Sequence, residues 1–329
     1  MRLYFLILIL LNMNMLEAKV IRVGSSPTAS SAGIYLAQER GYFKEQGLEV
    51  EITDFNNSGA PMTLLLSKGE LDVGAGNLTA GLFNAIVQGQ KFKIVADKGH
   101  LEKNKDYLSL VVKAEHVKNG RYKTLKDLKG FKMGLTSLEG VSQEILTEKF
   151  LNQAGLKLED VSFVKVSYAE MNIALKSGAI DATIQIEPFL TKVVSEGIAI
   201  KVAGGSEGYP GQQSGALFYS PNFIKERNEE ARKFMLAYAK GVRDYNEAFE
   251  KGINKQVVIN DLKKLIKIDG DQVWEKMAIV GLNSFGKLNV KELKDDIAWY
   301  EKRYLKAKLA IEDVIDESFI NFAAQKMKK

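Results

Sequence analysis

From Lys19 onward, short runs rich in Val and Ile alternate with longer amphipathic stretches, and the whole alternation occurs twice. Val20–Val23, Leu48–Ile52, Leu71–Val73 and Phe92–Val95 read as buried strands, separated by helices over Ala32–Arg40, Met62–Ser67 and Thr79–Gln88. The second round has strands at Lys132–Leu135, Phe163–Val166, Ala182–Ile186 and Ile198–Val202, with helices over Ser142–Gln153, Glu170–Lys176 and Pro188–Val194. A strand, a crossover helix and a further strand return to one sheet as parallel neighbours, so the pattern predicts an α/β fold with a mostly parallel sheet in each half. At 329 residues the chain exceeds the size at which one core stops growing, and two bodies are expected.

The halves share a phrase. Gly47-Leu48 opens a unit that closes on Gly69-Glu70-Leu71-Asp72-Val73, and Gly155-Leu156 opens one that closes on Gly178-Ala179-Ile180-Asp181-Ala182. Each closing Gly stands where a helix end favours a left-handed residue. Pro61, Pro188 and Pro221 each follow a strand or loop and suit the first turn of a helix. Two runs stand apart, Tyr107–Val112 and Gly215–Tyr219, and are expected as antiparallel or crossing strands that form a hinge. Residues 19–108 and 216–329 then make one lobe and 109–215 the other. Beyond Pro221, helices are predicted over Glu229–Phe249, Gln256–Leu265, Gln272–Val280 and Val290–Tyr304, packing around the first lobe.

Arg2, the apolar run from Leu3 and the small residue Ala18 have the form of a secretory signal peptide over residues 1–18, too short to span a bilayer. The absence of cysteine excludes disulfides, thiolate metal sites, a Cys nucleophile and a lipidated Cys, and two histidines leave little for a zinc site or a Ser/His triad. Lys and Arg exceed Asp and Glu by 46 to 41, spread evenly, which gives no footprint for nucleic acid.

Leu36-Ala37-Gln38-Glu39-Arg40-Gly41-Tyr42-Phe43-Lys44-Glu45-Gln46-Gly47-Leu48-Glu49-Val50-Glu51 resembles the opening signature of ABC-transporter solute-binding proteins of the nitrate, sulfonate and taurine type. Gly69–Gly74, Leu125–Gly134 and Ile186-Glu187-Pro188 resemble later blocks of that family, in the same order. The resemblance implies a two-lobed type II periplasmic-binding fold, closure on a small solute, and delivery to ABC permease subunits. No catalysis, metal or cofactor is expected, and the protein is expected to act as a monomer in the periplasm. Pyrimidine-synthesising and menaquinone-pathway enzymes share that fold, so a biosynthetic enzyme and an aminopyrimidine-binding protein are the competing expectations.

Helix N-termini present free N–H groups and the positive end of the macrodipole, which suits anions. Four strand-to-helix junctions carry small polar residues: Ser25–Ala29, Asn57–Ala60, Gly76–Thr79 and Thr136–Ser142. Candidate ligand contacts are therefore Ser26, Thr28, Ala29, Gly59, Asn77, Thr79, Ser137 and Ser142, against the alternative that these are ordinary caps and turns. None of the junctions contains Arg or Lys, so a sulfonate- or nitrate-like anion would be held by neutral dipoles. Glu187 either meets an amine on the ligand or serves as a first-turn acid; Tyr209 is either an aromatic lid or part of a Gly-rich surface loop. Trp274 and Trp299 are expected in packing roles, His100 and His116 as solvated loop histidines, and Asp72 and Asp181 on local backbone donors.

Overall fold

The computed structural model describes residues 19–55 and 60–328; the segment read as a signal peptide and the candidate Gly59 lie outside them. Ten strands form two five-stranded sheets. The first holds β1 (Ile21–Ser25), β2 (Val50–Asp54), β3 (Val73–Asn77), β4 (Lys93–His100) and β10 (Gln213–Tyr219), in the order β2-β1-β3-β10-β4. The second holds β5 (Leu108–Lys113), β6 (Lys132–Leu135), β7 (Ser162–Lys165), β8 (Ala182–Ile186) and β9 (Ala199–Gly204), ordered β7-β6-β8-β5-β9. In each sheet three strands pair in parallel, and one antiparallel strand lies fourth. That antiparallel strand is the one arriving from the other body: β5 follows β4 directly, and β10 follows β9. The two runs set apart in the sequence are thus the hinge crossings, and each is sewn into the sheet it enters.

Local rules account for most element ends. Gly69 (φ 68°) and Gly178 (φ 79°) take the left-handed conformation after the helices Ala60–Ser67 and Tyr168–Ser177. Pro61 and Pro221 sit in first helical turns, and Pro188 caps Phe189–Ser195. The paired acids do serve backbone donors: Asp72 accepts from Arg22 N at 2.9 Å and Asp181 from Lys132 N at 2.9 Å.

The core of the first body includes the long helix Asn228–Lys251 laid on the helix Ala32–Glu39, and the sheet residues Ile21, Val23 and Val73 are fully buried. The two helices approach backbone to backbone at Gly33 and Gly241. The tail does more than wrap the first body. Helix Asp271–Lys276 packs on Phe189–Ser195 and Val290–Arg303 on Ser142–Gln153, both attached to the second sheet. Trp274 and Trp299 are buried at those contacts.

Four expectations are corrected. The strand expected as buried at Leu48–Ile52 is the edge strand β2, none of whose residues is buried, because only β1 flanks it. Helix Gln272–Val280 ends at Lys276, and the following residues run extended beside the hinge, Val280 opposite Asp106 and Gly281 opposite His100. Side chains supply the acceptors a helix would have given: Ala278 N donates to Glu187 Oε1 at 2.9 Å and Val280 N to Tyr245 OH at 3.0 Å. His100 is buried at the end of β4, its Nδ1 2.9 Å from Asp97 Oδ2. His116 is also buried, with Nε2 2.6 Å from Asp181 Oδ1. Each histidine has a carboxylate partner that lies outside its own apolar neighbourhood in sequence or breaks a strand pattern, which is why both looked solvated.

Candidate functional site

The two sheets meet along a seam at the loops that follow their parallel strands. Backbone bonds cross it directly: Ala29 N to Glu187 O (3.0 Å), Ala80 N to Gly140 O (3.1 Å) and Ser142 N to Leu78 O (3.0 Å). Thr79 and Val141 form an antiparallel bridge, and Asn77 Nδ2 donates to Tyr168 OH at 3.2 Å. On the tail side, Glu148 takes the Trp299 indole N–H and the Arg303 guanidinium, and Tyr304 OH donates to Glu144 Oε1 at 2.8 Å. The two bodies therefore touch directly along this seam. It stacks the junctions after β1, β3, β6 and β8 on one another.

The candidate residues divide by what their side chains already do. Thr28 precedes the 3-10 turn Ala29–Ser31 but does not cap it; its Oγ1 shares a hydrogen bond with Ser30 Oγ at 3.0 Å, 3% exposed. Ser26 lies beside it, its carbonyl accepting from Thr28 N (2.8 Å) and Ser31 Oγ (2.6 Å). Asn77 faces Tyr168 across the seam. Thr79, by contrast, is a cap, accepting from Leu82 N at 3.2 Å, and Ser137 accepts from Glu139 N at 3.2 Å inside its own turn. Ser142 Oγ donates to Ser214 O at 2.9 Å, tying the second lobe to the hinge strand β10. Tyr209 turns to the tail helix, where its hydroxyl donates to Glu292 O at 3.4 Å beneath the Lys149 ammonium. The seam therefore gathers Ser26, Thr28, Ala29, Asn77, Thr79, Ser137, Ser142 and Glu187 but not Tyr209.

Glu187 is 1% exposed, and its carboxylate is taken up: Thr191 N and Oγ1 donate to it at 3.0 and 2.8 Å, and Ala278 N at 2.9 Å. It holds the first turn of Phe189–Ser195 and the extended tail at once. Burial pushes its carboxyl up from 4.5 to about 7, against the three donors. An acid whose pKa is raised by folding stabilises the folded state most below its unfolded pKa, and that contribution fades as pH rises through the folded value. Glu187→Gln should therefore remove a pH-dependent component of about 3 kcal/mol between pH 4.5 and 7. Denaturant unfolding of both proteins across that range checks it; a constant difference would contradict it.

The residue that sequence reasoning missed is Lys98. It lies near the end of β4, 2% exposed, and Nζ donates to Ser30 Oγ at 2.9 Å, directly beside Thr28. Burial lowers its pKa to about 7, with Asp97 opposing. Next to it, Gly99 (φ 148°) leaves room for the Tyr107 hydroxyl, which hydrogen-bonds Ser214 Oγ; Ser214 Oγ also donates to Gly99 O at 3.1 Å. A buried lysine thus stands beside the β1 junction, outside the four junctions that the sequence reading considered. The available signal was Asp97-Lys98-Gly99 directly after Ile94-Val95-Ala96, charges at the end of a run too apolar to be a surface strand.

Comparison with known proteins agrees with this architecture. A Brucella abortus protein, provisionally named a binding protein, is 28% identical over 236 residues, covering 71% of this chain and 67% of its own. A Saccharomyces cerevisiae 4-amino-5-hydroxymethyl-2-methylpyrimidine phosphate synthase is 27% identical over 239 residues, 67% of this chain and 64% of the yeast protein. Among solved structures, the alkanesulfonate-binding protein of Xanthomonas axonopodis pv. citri bound to MOPS superposes with TM-score 0.73 at 18% identity, over 90% of this chain and 98% of that one. The periplasmic nitrate-binding protein of Synechocystis PCC 6803 gives 0.75 at 15% identity, over 95% and 90%. These likenesses establish the two-lobed periplasmic-binding fold with its helical C-terminal region. The profile described as NMT1/THI5 like matches residues 28–248, and the chain belongs to that family.

Proposed function

We propose that this protein is the solute-binding component of an ABC importer, exported to the periplasm, closing as a monomer on one small anion and presenting it to a permease. The lobes of this reading are residues 19–108 with 216–329, and 109–215, rotating about the β4–β5 and β9–β10 crossings. The observation that supports it is the linked set Thr28, Ser30 and the buried Lys98 beside the bond from Ala29 N to Glu187 O, which joins the two bodies. A ligand that contacts both lobes binds the closed form better and shifts the population toward it, and no bond need be made or broken. Backbone N–H groups and hydroxyls would orient a sulfonate- or nitrate-like group, with Lys98 supplying charge. The Brucella relative's name supports a binding role over catalysis.

Isothermal titration with nitrate, taurine and short alkanesulfonates tests the reading: one of them binds stoichiometrically without turnover. Thr28→Ala and Ser142→Ala should each weaken that binding by about 1–3 kcal/mol, because a buried polar partner is left unpaired. Full affinity in both variants would contradict the assignment of the seam.

Tyr168 favours a second reading. Its ring lies 8% exposed against Asn77, and a yeast relative is named as a pyrimidine phosphate synthase. An aminopyrimidine would stack there and take hydrogen bonds from Asn77. Binding of an aminopyrimidine with no response to the anions selects this reading instead.

A further inference from the structure

The tail helix Val290–Arg303 is held from both bodies. On the first, Tyr300 OH donates to Leu78 O at 3.0 Å with its ring 5.1 Å from that of Phe83, and Asn84 Nδ2 donates to Tyr304 O at 3.0 Å. On the second it meets the helix Ser142–Gln153 and the segment Tyr209–Gln212, which leads from β9 toward β10. Asp296 lies in that second contact, 1% exposed, with Tyr209 and Gln212 near enough to favour its charged form. Yet among the described residues neither of its carboxylate oxygens has a hydrogen bond, and neither does Gln212 Oε1. The Gln212 amide is not free to turn, because its Nε2 donates to Ser142 O at 2.9 Å, a carbonyl that only a donor can serve. The Tyr209 hydroxyl has Glu292 O as its acceptor at 3.4 Å. Three buried acceptors thus lie together short of a donor, an arrangement that costs free energy at each atom. One proton resolves it, since a neutral carboxylic acid is a donor and Gln212 Oε1 is an acceptor without one.

The surrounding charges give no substitute. Lys149, on the helix Ser142–Gln153, favours the charged form, but its ammonium stands over the Tyr209 ring, 4.7 Å from the centroid. Asp295 and Glu292 on the same helix as Asp296 are acids, Arg303 is taken by Glu148, and Tyr304 donates to Glu144. Burial pushes the Asp296 carboxyl up from 3.8 to about 8, with Tyr209, Gln212 and Lys149 opposing. We propose that Asp296 is a proton-operated clasp: as a neutral acid it joins the tail helix to Gln212, and on ionising it puts an unpaired charge into that contact and loosens the tail from the second body. This goes beyond the solute-binding reading and stands without it. Because Tyr300 fastens the same helix to the first body, the contact between the two bodies weakens as pH rises. The sign follows from linkage. A carboxyl whose pKa is raised by docking favours the docked state most below the undocked value, and that preference is lost as pH rises to the docked one.

Hydrogen exchange read by mass spectrometry tests this on the full chain, comparing wild type with Asp296→Asn at the same pH so that intrinsic exchange rates cancel. Asparagine is neutral at every pH and can donate to Gln212 Oε1, so it mimics the clasped state. Over Val290–Arg303 and Ser142–Gln153, wild type should exchange faster than Asp296→Asn by a ratio that grows about tenfold per pH unit between pH 5 and 7 and levels off above about pH 8. Lys149→Met removes the cation that favours ionisation and should raise the pH at which the ratio levels off; a lower one contradicts the proposal. An acid with a packing role alone would give a ratio independent of pH, and that result overturns the proposal. Infrared spectra of wild type with isotopically labelled aspartate give a second reading that needs no variant and excludes the bands of Glu187 and Glu144. A carboxylic-acid C=O stretch from labelled aspartate should be present at about pH 6.5 and gone by about pH 9.5. Its absence at the lower pH overturns the proposal, whether or not any solute binds.

Discussion

Asp97→Ala should destabilise the protein by about 4 kcal/mol, the largest loss expected from any single seam or hinge substitution, because three buried donors and one half-buried donor lose one acceptor. Oδ1 accepts from Gly99 N (2.8 Å) and Gln213 Nε2 (2.7 Å); Oδ2 accepts from His100 Nδ1 (2.9 Å) and Asn283 N (2.7 Å). Those donors come from β4, β10 and the tail, three stretches far apart in sequence. Asp97 therefore fastens both strands that lead into the hinge crossings to the tail that runs beside them. Burial lowers the His100 pKa, but the Asp97 carboxylate outweighs it and leaves the imidazole above its ordinary value. Asp97→Asn keeps one carbonyl oxygen and should cost roughly half as much. Urea unfolding with an unchanged slope and a lower midpoint is the expected result. A loss under about 1 kcal/mol for the alanine variant would show that water replaces the carboxylate and that the network is not structural.

Gly241→Ala should cost about 3 kcal/mol by overpacking, although alanine is the better helix former. A Cβ at Gly241 would stand 2.1 Å from Gly33 O, 3.0 Å from Gly33 C and 3.1 Å from Ala37 N. All three atoms are backbone, so no side chain can swing away; the helices Ala32–Glu39 and Asn228–Lys251 must separate. Separation would also shift the turn at Thr28 and β1, which lead directly into the first of these helices. Propensity alone predicts a gain of about 1 kcal/mol, so the sign of the change decides between a true close approach and an accidental glycine. Thermal or denaturant unfolding gives that sign.

The strand-helix grammar was legible because burial and periodicity agree along most of the chain. Lys132–Leu135, Ala182–Ile186 and Ser142–Gln153 fall where the pattern put them. The echoing Gly69 and Gly178 hold their left-handed helix ends. The antiparallel crossings were legible too, since Tyr107–Val112 and Gly215–Tyr219 had no helix to pair them with a parallel neighbour.

What was hidden shares a physical cause. β4 continues from Val95 to His100 through Asp97, Lys98 and Gly99, and charges inside a strand read as a loop unless their partners are known. Those partners are Gln213 and Asn283 for Asp97, and Ser30 for Lys98, all distant in sequence. The same blindness made His116 look solvated, since its partner Asp181 is distant in sequence, and His100 looked solvated because its near partner Asp97 was itself read as a loop charge. Small polar residues before helices were equally ambiguous: Thr79 is a genuine cap, while Thr28 at a similar junction leaves the cap unused and turns to Ser30. Only the fold separates those two roles. The tail's crossing to the second lobe was also out of reach, because an amphipathic helix announces that it packs and not what it packs against.

Small-angle scattering with and without a saturating anion tests lobe closure most directly. Loaded protein should scatter as the compact arrangement described above, with Ala29 on Glu187 and Ser142 on Leu78, and ligand-free protein should show a larger radius of gyration. Identical curves for the two states, with binding verified on the same samples, would contradict it.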